Sequence, residues 1–322
     1  MTRYYVFNGD ADGLCALQQL RLTSPGEASL VTGVKRDIEL VARVKAAPGD
    51  HVTVLDISLD VNRAGLLAVL EAGAKVAYFD HHHAGEVPAH PGLEPHLDPS
   101  PNVCTSILVD RALAGQKRLW AVVGTYGDSL TDEGNALAEG AGLGAADAKL
   151  LKELGVSINY NAYGETIADL HVPPLELAAE MLPFADPREF AKSSPTFRRL
   201  HDGYQKDMEL ASRLAPTQQA PGAVMFVLPD EAWARRASGT LANDLAKAHV
   251  GSAIAIVSPK AQGGYLVSIR VPRDSSVSAE AFCRRFPTGG GRKTAAGINH
   301  LPAPELETFA RDFTQQFAPA SA

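Results

Sequence analysis

Val76-Ala77-Tyr78-Phe79-Asp80-His81-His82-His83 is an apolar run that breaks off abruptly into one carboxylate and three imidazoles. Its β-branched and aromatic half predicts a buried strand. Asp80, His81 and His82 then stand at the carboxyl end of that strand, where α/β sheets place their ligands. Neutral imidazole and carboxylate are the donors that borderline divalent metals prefer. A polar loop with a chance histidine run, or a single zinc patch on the surface, would account for this stretch equally well when taken alone. The other strand ends of the chain decide between these readings.

Working outward, Tyr4-Tyr5-Val6-Phe7 predicts a first strand, ending in Asn8-Gly9-Asp10-Ala11-Asp12-Gly13, with Leu14, Leu17 and Leu20 then at helical spacing. Leu30 to Gly33 predicts a short second strand and Ile38 to Lys45 a helix. His51 to Leu55 is a third strand, ending on Asp56. Asp60 reads as the N-cap of a helix bearing Leu66, Leu67 and Leu70, closed by Gly73. Strands alternating with helices imply a parallel sheet covered on its faces. Pro88 to Pro101 reads as a loop at the rim of the site. From Cys104 to Leu182 the pattern turns helical and contains Gly124-Thr125-Tyr126-Gly127-Asp128.

Four prolines around a charged helix from Thr196 to Leu214 mark 186–220 as a linker. Beyond it, strands are expected at Ala223–Leu228, Ser252–Ser258 and Gly264–Val271, with helices at Ser238–Ala248, Ser278–Phe286 and Glu305–Phe317. Ala318 to Ala322 is expected to fray. The fold class is therefore α/β: an N-terminal parallel-sheet domain over 1–185, a helical linker, and a smaller C-terminal α/β domain over 221–322, the two facing across a cleft.

A length of 322 residues suits about two domains. With 45% hydrophobic and 21% charged residues, the composition is that of an ordinary soluble globular protein. No apolar run approaches the ~20 residues that span a bilayer. The start lacks a signal-peptide core, and Cys15, Cys104 and Cys283 follow no metal or disulfide pattern. A reducing cytoplasm and no membrane partner are expected. The net charge of −7 argues against long duplex nucleic acid. Residues 221–322 nevertheless carry 11 Lys+Arg against 8 Asp+Glu, while residues 1–220 carry 19 against 29. An acidic first part suits metal-binding carboxylates, and a mildly basic second part suits an anionic substrate.

Asp10/Asp12, Asp56 and Asp80/His81/His82 share one edge of such a sheet. Carboxylates at i and i+2 can each reach a different metal, and Asp56 can bridge. Two ions about 3.5–4 Å apart clamp the attacking and leaving oxygens of a phosphoryl displacement. Further on, Gly289-Gly290-Gly291-Arg292-Lys293 lets backbone N–H groups approach phosphate oxygens, with Arg284 and Arg285 nearby. A flexible turn with solvated charges is the alternative. Arg235 and Arg236 read as helix surface, and Trp120 and Trp233 as core.

In order, Asp10-Ala11-Asp12-Gly13, the strand-terminal Asp56, Asp80-His81-His82 and Gly127-Asp128 resemble the four motifs of the Asp-His-His (DHH) phosphoesterase superfamily. Gly289 to Gly297 resembles the glycine-rich signature of its associated substrate domain. The resemblance spans about residues 4–300. It implies a phosphoesterase using two Mn2+ ions, with Mg2+ or Co2+ as alternatives. Carried over by position, Asp10 and Asp56 bind the first ion, and Asp12, Asp56, His81 and Asp128 the second. His82 faces the scissile phosphate, Asp80 orients a neighbouring histidine, and His83 lies at the rim. Gly289, Gly290, Gly291, Arg292, Lys293 and Arg285 hold the substrate. Asn8 stands where many relatives carry a histidine ligand, which weakens the first metal site. Arg292 replaces a histidine after the three glycines, which bears on substrate preference.

The nanoRNase-like branch is the expectation: short oligoribonucleotides or linear dinucleotides hydrolysed to mononucleotides. A 3′-phosphoadenylate phosphatase, a single-strand exonuclease and a non-catalytic nucleotide sensor remain open, as does a homodimer. A pyrophosphatase is not expected to carry the glycine-rich signature.

Overall fold

The structure is a computed structural model describing residues 1–318. The end expected to fray falls outside these residues from 319 onward. The first compact unit spans Met1–Tyr204. It begins with β1 (Arg3–Phe7), α1 (Ala11–Thr23), β2 (Ser29–Val31), β3 (His51–Leu55), α2 (Leu59–Glu71), β4 (Lys75–Asp80) and β5 (Leu93–Leu97). Helices follow: α3 (Thr105–Ala112), α4 (Arg118–Gly127), α5 (Thr131–Gly140), α6 (Ala145–Asn161), α7 (Pro174–Met181), α8 (Pro187–Ser193) and α9 (Pro195–Ser212).

The sheet runs β2-β1-β3-β4-β5 and is parallel throughout. Both faces are covered, which is why its strands read as near-continuous apolar runs. Successive side chains point to opposite faces. Tyr5 and Phe7 therefore pack with α1 and α4 residues such as Leu14, Val122 and Val123, whereas Val6, Val52 and Val54 pack with Leu66, Val69 and Leu70 of α2. Each such fully buried aliphatic side chain contributes about 1.5–3 kcal/mol. Helix α2 closes on Ala72, with Gly73 at φ +84°, a conformation that glycine adopts without steric cost.

Four local expectations change. Ile38 to Lys45 forms only a short 3-10 turn, Val41–Arg43, because Asn62 reaches across to bond the backbone of Val41 and Ile38 and holds the segment open. Ser58 rather than Asp60 occupies the N-cap of α2. The expected loop over 88–101 contains edge strand β5, paired in register with β4 from Val76↔Leu93 to Asp80↔Leu97. Residues 186–220 carry all of α8 and α9 and the start of the second sheet, and Phe190, Phe197 and Leu200 sit in the first unit's core.

The second unit spans Gln205–Ala322, described as far as residue 318. It contains β6 (Gln218–Ala220), β7 (Ala223–Val227), α10 (Ala232–Ala248), β8 (Ala253–Pro259), β9 (Tyr265–Arg270), α11 (Ala279–Cys283), β10 (Gly289–Gly291), β11 (Ala295–Leu301) and α12 (Leu306–Phe317). The sheet order is β10-β11-β9-β8-β7-β6, and only β7 and β8 run parallel, joined through α10. Phe282 of α11 packs against Phe309 and Phe313 of α12 on one face. On the other, Arg236 is not the surface residue expected: it is buried, and its guanidinium donates to both carboxylate oxygens of Asp207 at 2.7 and 2.9 Å. Trp120 is core, as expected. No helix among the described residues is long and apolar enough to cross a membrane.

Candidate metal centre

The strand register gathers the site. Phe7 pairs with Leu55, and Leu55 with Phe79, so Asn8, Asp56 and Asp80 lie side by side at the next step. The ladder continues through them: Asn8 N–H donates to Leu55 O at 3.2 Å and Asp56 N–H to Phe79 O at 3.0 Å. Chain order reverses between β1 and β3, the position where open α/β sheets leave a crevice for ligands. Asp56 is held there at φ +60°, a conformation that aspartate tolerates better than most residues.

Each carboxylate is placed by a different element. Asp10 caps α1 and accepts from Gly13 N–H at 3.1 Å. Asp12, wholly buried in the first turn of α1, meets the N-terminus of α3 and accepts from Thr105 N–H at 2.7 Å and Ser106 N–H at 2.6 Å. A helix N-terminus favours negative charge, so this contact holds Asp12 in place. Asp128 is delivered by the last turn of α4, whose approach to α1 requires Gly127: a Cβ there would meet Ala11 Cβ at 2.3 Å.

His81 joins them. Its Nε2 lies 3.4 Å from Asp56, 3.8 Å from Asp128 and 4.0 Å from Asp12. His82 Nδ1 is 2.6 Å from Asp80 Oδ1, while Asp80 Oδ2 is buried with no hydrogen-bond partner among the described residues. Among the described residues, two sets of donors are close enough to share an ion, Asp12/His81/Asp128 and Asp56/His81/His82. His83 is exposed, and its carbonyl accepts from the Ser58 hydroxyl.

The electrostatics show a shortage of positive charge. Burial and then the charges of Asp10, Asp12 and Asp128 raise the Asp56 carboxyl well above its ordinary value. Burial, with Asp12 and Asp10, pushes Asp128 up to about 8. Burial opposes ionisation of Asp10 as well, but Lys35 and hydrogen bonds from its surroundings outweigh this and hold its pKa low. The hydrogen bond to Asp80 raises His82. Crowded buried carboxylates and imidazole are a donor set that fits a divalent cation.

Several participants carried no signal in the motifs. Thr105 and Ser106 stand more than ninety residues from Asp12 in sequence. Lys35 lies beyond the end of β2, and its Nζ donates to Asp10 Oδ2 at 2.5 Å and Asn159 Oδ1 at 3.1 Å. Lys35 follows the end of β2 much as the acids follow the ends of β1, β3 and β4. Asn8 is occupied structurally: its Oδ1 accepts from Asp10 N–H and its Nδ2 donates to Lys35 O.

In the second unit the glycine triplet is an edge strand rather than a loop, antiparallel to β11. Two of its glycines answer to packing. A Cβ on Gly289 would meet Cys283 O at 1.7 Å, and one on Gly291 would meet Ala296 Cα at 2.4 Å, whereas Gly290 faces open space. Arg285 is engaged with Asp312 and lies over the Phe282 ring, and Arg284 pairs with Glu280. Arg292 and Lys293 are exposed and make no side-chain ion pair among the described residues.

No protein-family model matches the chain, and no curated protein matches its sequence. Solved structures do. Exonuclease RecJ bound to manganese aligns over 98% of this chain and 90% of its own, at 20% identity and a TM-score of 0.63. RecJ from Thermus thermophilus, in complex with Mn2+, aligns over 97% of this chain at 19% identity and a TM-score of 0.64; this chain spans 51% of its length. An exopolyphosphatase-related protein from Bacteroides fragilis aligns over 98% of this chain and 91% of its own, at 13% identity and a TM-score of 0.51. At such identities the likeness is one of architecture: the chain has an α/β fold shared with exonuclease RecJ.

Proposed function

We propose that this chain is a DHH-type, divalent-metal-dependent phosphoesterase that hydrolyses short oligonucleotides or linear dinucleotides to mononucleotides in the cytoplasm. The observation that carries the reading is the placing of His81 Nε2 within 3.4–4.0 Å of Asp56, Asp128 and Asp12, at the switch point of a parallel sheet. Asp12, Asp56, His81 and Asp128 would hold the cation, with Mn2+ the leading candidate and Mg2+ or Co2+ alternatives. Bound there, a divalent ion would supply Lewis acidity, lowering the pKa of water and screening phosphoryl charge.

The protein's own groups do the rest. Asp80 accepts Nδ1–H of His82, which fixes the ring and favours its charged form. His82 Nε2–H then donates to a phosphate oxygen, or passes its proton to the leaving oxygen as the P–O ester bond breaks and water's oxygen joins phosphorus, the water giving up one proton to a carboxylate of the cluster. In the second unit, Gly290, Arg292 and Lys293 are the groups left available to a substrate phosphate. The absence of a long basic stripe suits a substrate of a few nucleotides. A single-strand exonuclease is the second reading, favoured by the likeness to RecJ over 90% of that chain.

The test is product analysis of metal-stripped protein given manganese and a panel of substrates: a ribodinucleotide, a pentanucleotide, long single-stranded DNA, pyrophosphate and a 3′-phosphorylated adenylate. Manganese-dependent release of mononucleotides from the short RNAs supports the proposal. Preference for long DNA moves the chain to the exonuclease reading, and phosphate from the last two substrates alone moves it to a phosphatase. No hydrolysis with manganese bound favours a nucleotide sensor.

A further inference from the structure

Lys35 is an ammonium inside the cluster of carboxylates, and it is secured from several directions. Its Nζ lies 2.5 Å from Asp10 Oδ2 and 3.1 Å from Asn159 Oδ1, and 5.4 Å from the centre of the Tyr163 ring. Its backbone is tied on both sides, the N–H donating to Ala162 O at 3.0 Å and the carbonyl accepting from Asn8 Nδ2 at 3.4 Å. Asn159 is itself held by the Tyr163 hydroxyl at 3.2 Å. Side chains from β1's turn and α6 thus converge on this lysine.

The donor geometry divides accordingly. Among the described residues, both sets able to share an ion include His81, and neither includes Asp10. Asp10 has its charge matched by Lys35 and its other oxygen engaged by Gly13 N–H. Asn8, the neighbour with a side chain that could contribute, spends its amide on Asp10 N–H and Lys35 O. Asp12 takes backbone N–H groups at the start of α3 but, among the described residues, no ammonium or guanidinium; with Asp56 and Asp128 around His81 it makes a set that fits one cation.

We propose that Lys35 is a resident positive charge that takes the place of one cation beside Asp10, so that the centre binds a single divalent ion through Asp12, Asp56, His81 and Asp128. This rests on the metal-dependent phosphoesterase reading and replaces its expected pair of ions with one ion and one ammonium. Two of the three ammonium donors are spent on Asp10 and Asn159. Among the described residues the third has no hydrogen-bond acceptor, and it would be open to an oxygen of a bound phosphate, a contact that neither exchanges with solvent metal nor is removed by a chelator.

The experiment is manganese stoichiometry by equilibrium dialysis, read together with the electron paramagnetic resonance spectrum of the bound ion, on the full chain. One manganese per chain with an isolated-ion spectrum supports the proposal. Two manganese ions per chain with an exchange-coupled spectrum overturn it and leave the phosphoesterase reading intact. No bound manganese, together with no hydrolysis, sinks both. Lys35→Asn removes the ammonium and frees Asp10, so its stoichiometry should rise from one to two, whereas Lys35→Arg keeps the charge and should stay at one. A Lys35→Asn protein that folds, as judged by its melting transition, and still binds one ion overturns the proposal. Should that variant not fold, the wild-type stoichiometry and spectrum decide alone.

Discussion

Replacing Asp128 with asparagine should make the metal-free protein more stable while abolishing its response to manganese. The reason is the crowding of like charge around His81. Asp128 is lifted from 3.8 to about 8, first by burial and then by Asp12 and Asp10. Near pH 7 folded Asp128 therefore holds a proton that the unfolded chain has released. Holding it costs about 1.4 kcal/mol for each of roughly three pH units above 3.8, or about 4 kcal/mol at most. One proton also relieves Asp56, and the Asp128 side chain is 21% exposed, so about half of that, ~2 kcal/mol, is the expected gain for the neutral isostere. At about 2–4 °C per kcal/mol, melting should rise by ~4–8 °C.

The sign follows from where the proton sits. Below about pH 4 both folded and unfolded Asp128 are protonated, and the two proteins should melt alike. Between about 4 and 8 only the folded form keeps the proton, so wild-type stability falls as pH rises. Above about 8 the loss is complete and the variant's advantage levels off. The assay is thermal unfolding of both proteins in chelator at intervals from about pH 5 to 8.5, repeated with excess manganese. With manganese the order should reverse, because an ion at about 100 times its Kd adds about 2.7 kcal/mol to the wild type and little to a protein lacking a ligand. Equal melting at about pH 8 in chelator, or an advantage that does not grow with pH, would refute the argument that these carboxylates are short of a cation.

Three further outcomes are expected. Asp56→Ala should lose turnover completely with manganese present; near-normal turnover in that variant would remove Asp56 from the metal centre. Gly289→Ala should cost about 1–3 kcal/mol or more in the melting of the second unit, since the new Cβ meets the Cys283 carbonyl at 1.7 Å, whereas Gly290→Ala should stay within about 0.5 kcal/mol of wild type. Equal losses at the two positions, followed by melting or limited proteolysis, would contradict the packing assigned to the triplet. Arg292→Ala should raise KM for phosphorylated substrates by about tenfold, the worth of one charged hydrogen bond, with kcat and melting unchanged; an unaltered KM would leave Arg292 without a role in holding the substrate.

Much of the fold was legible because its signals are local. The parallel sheet announces itself through apolar runs that stop on polar residues, since strands covered on both faces show no alternation. The boundaries that moved did so for tertiary reasons. Asn62, on α2, holds 38–45 away from a helix, and pairing to β4 turns part of 88–101 into a strand. Arg236 looked like surface because nothing near it in sequence announces Asp207, 29 residues away on another helix.

By itself the sequence determined which side chains meet at the sheet's edge. Asp10, Asp12, Asp56, Asp80, His81 and His82 each follow a strand, and parallel strands must end together, so their convergence needs no long-range information beyond the sheet. Tertiary structure alone decided how each of those charges is matched. Asp12 is held by the N–H groups opening α3, Asp10 by an ammonium 25 residues on, and Asp56 and Asp128 are left facing His81. The division arises because a strand end places an acid by local geometry, whereas its counter-charge comes from whatever segment packs against it.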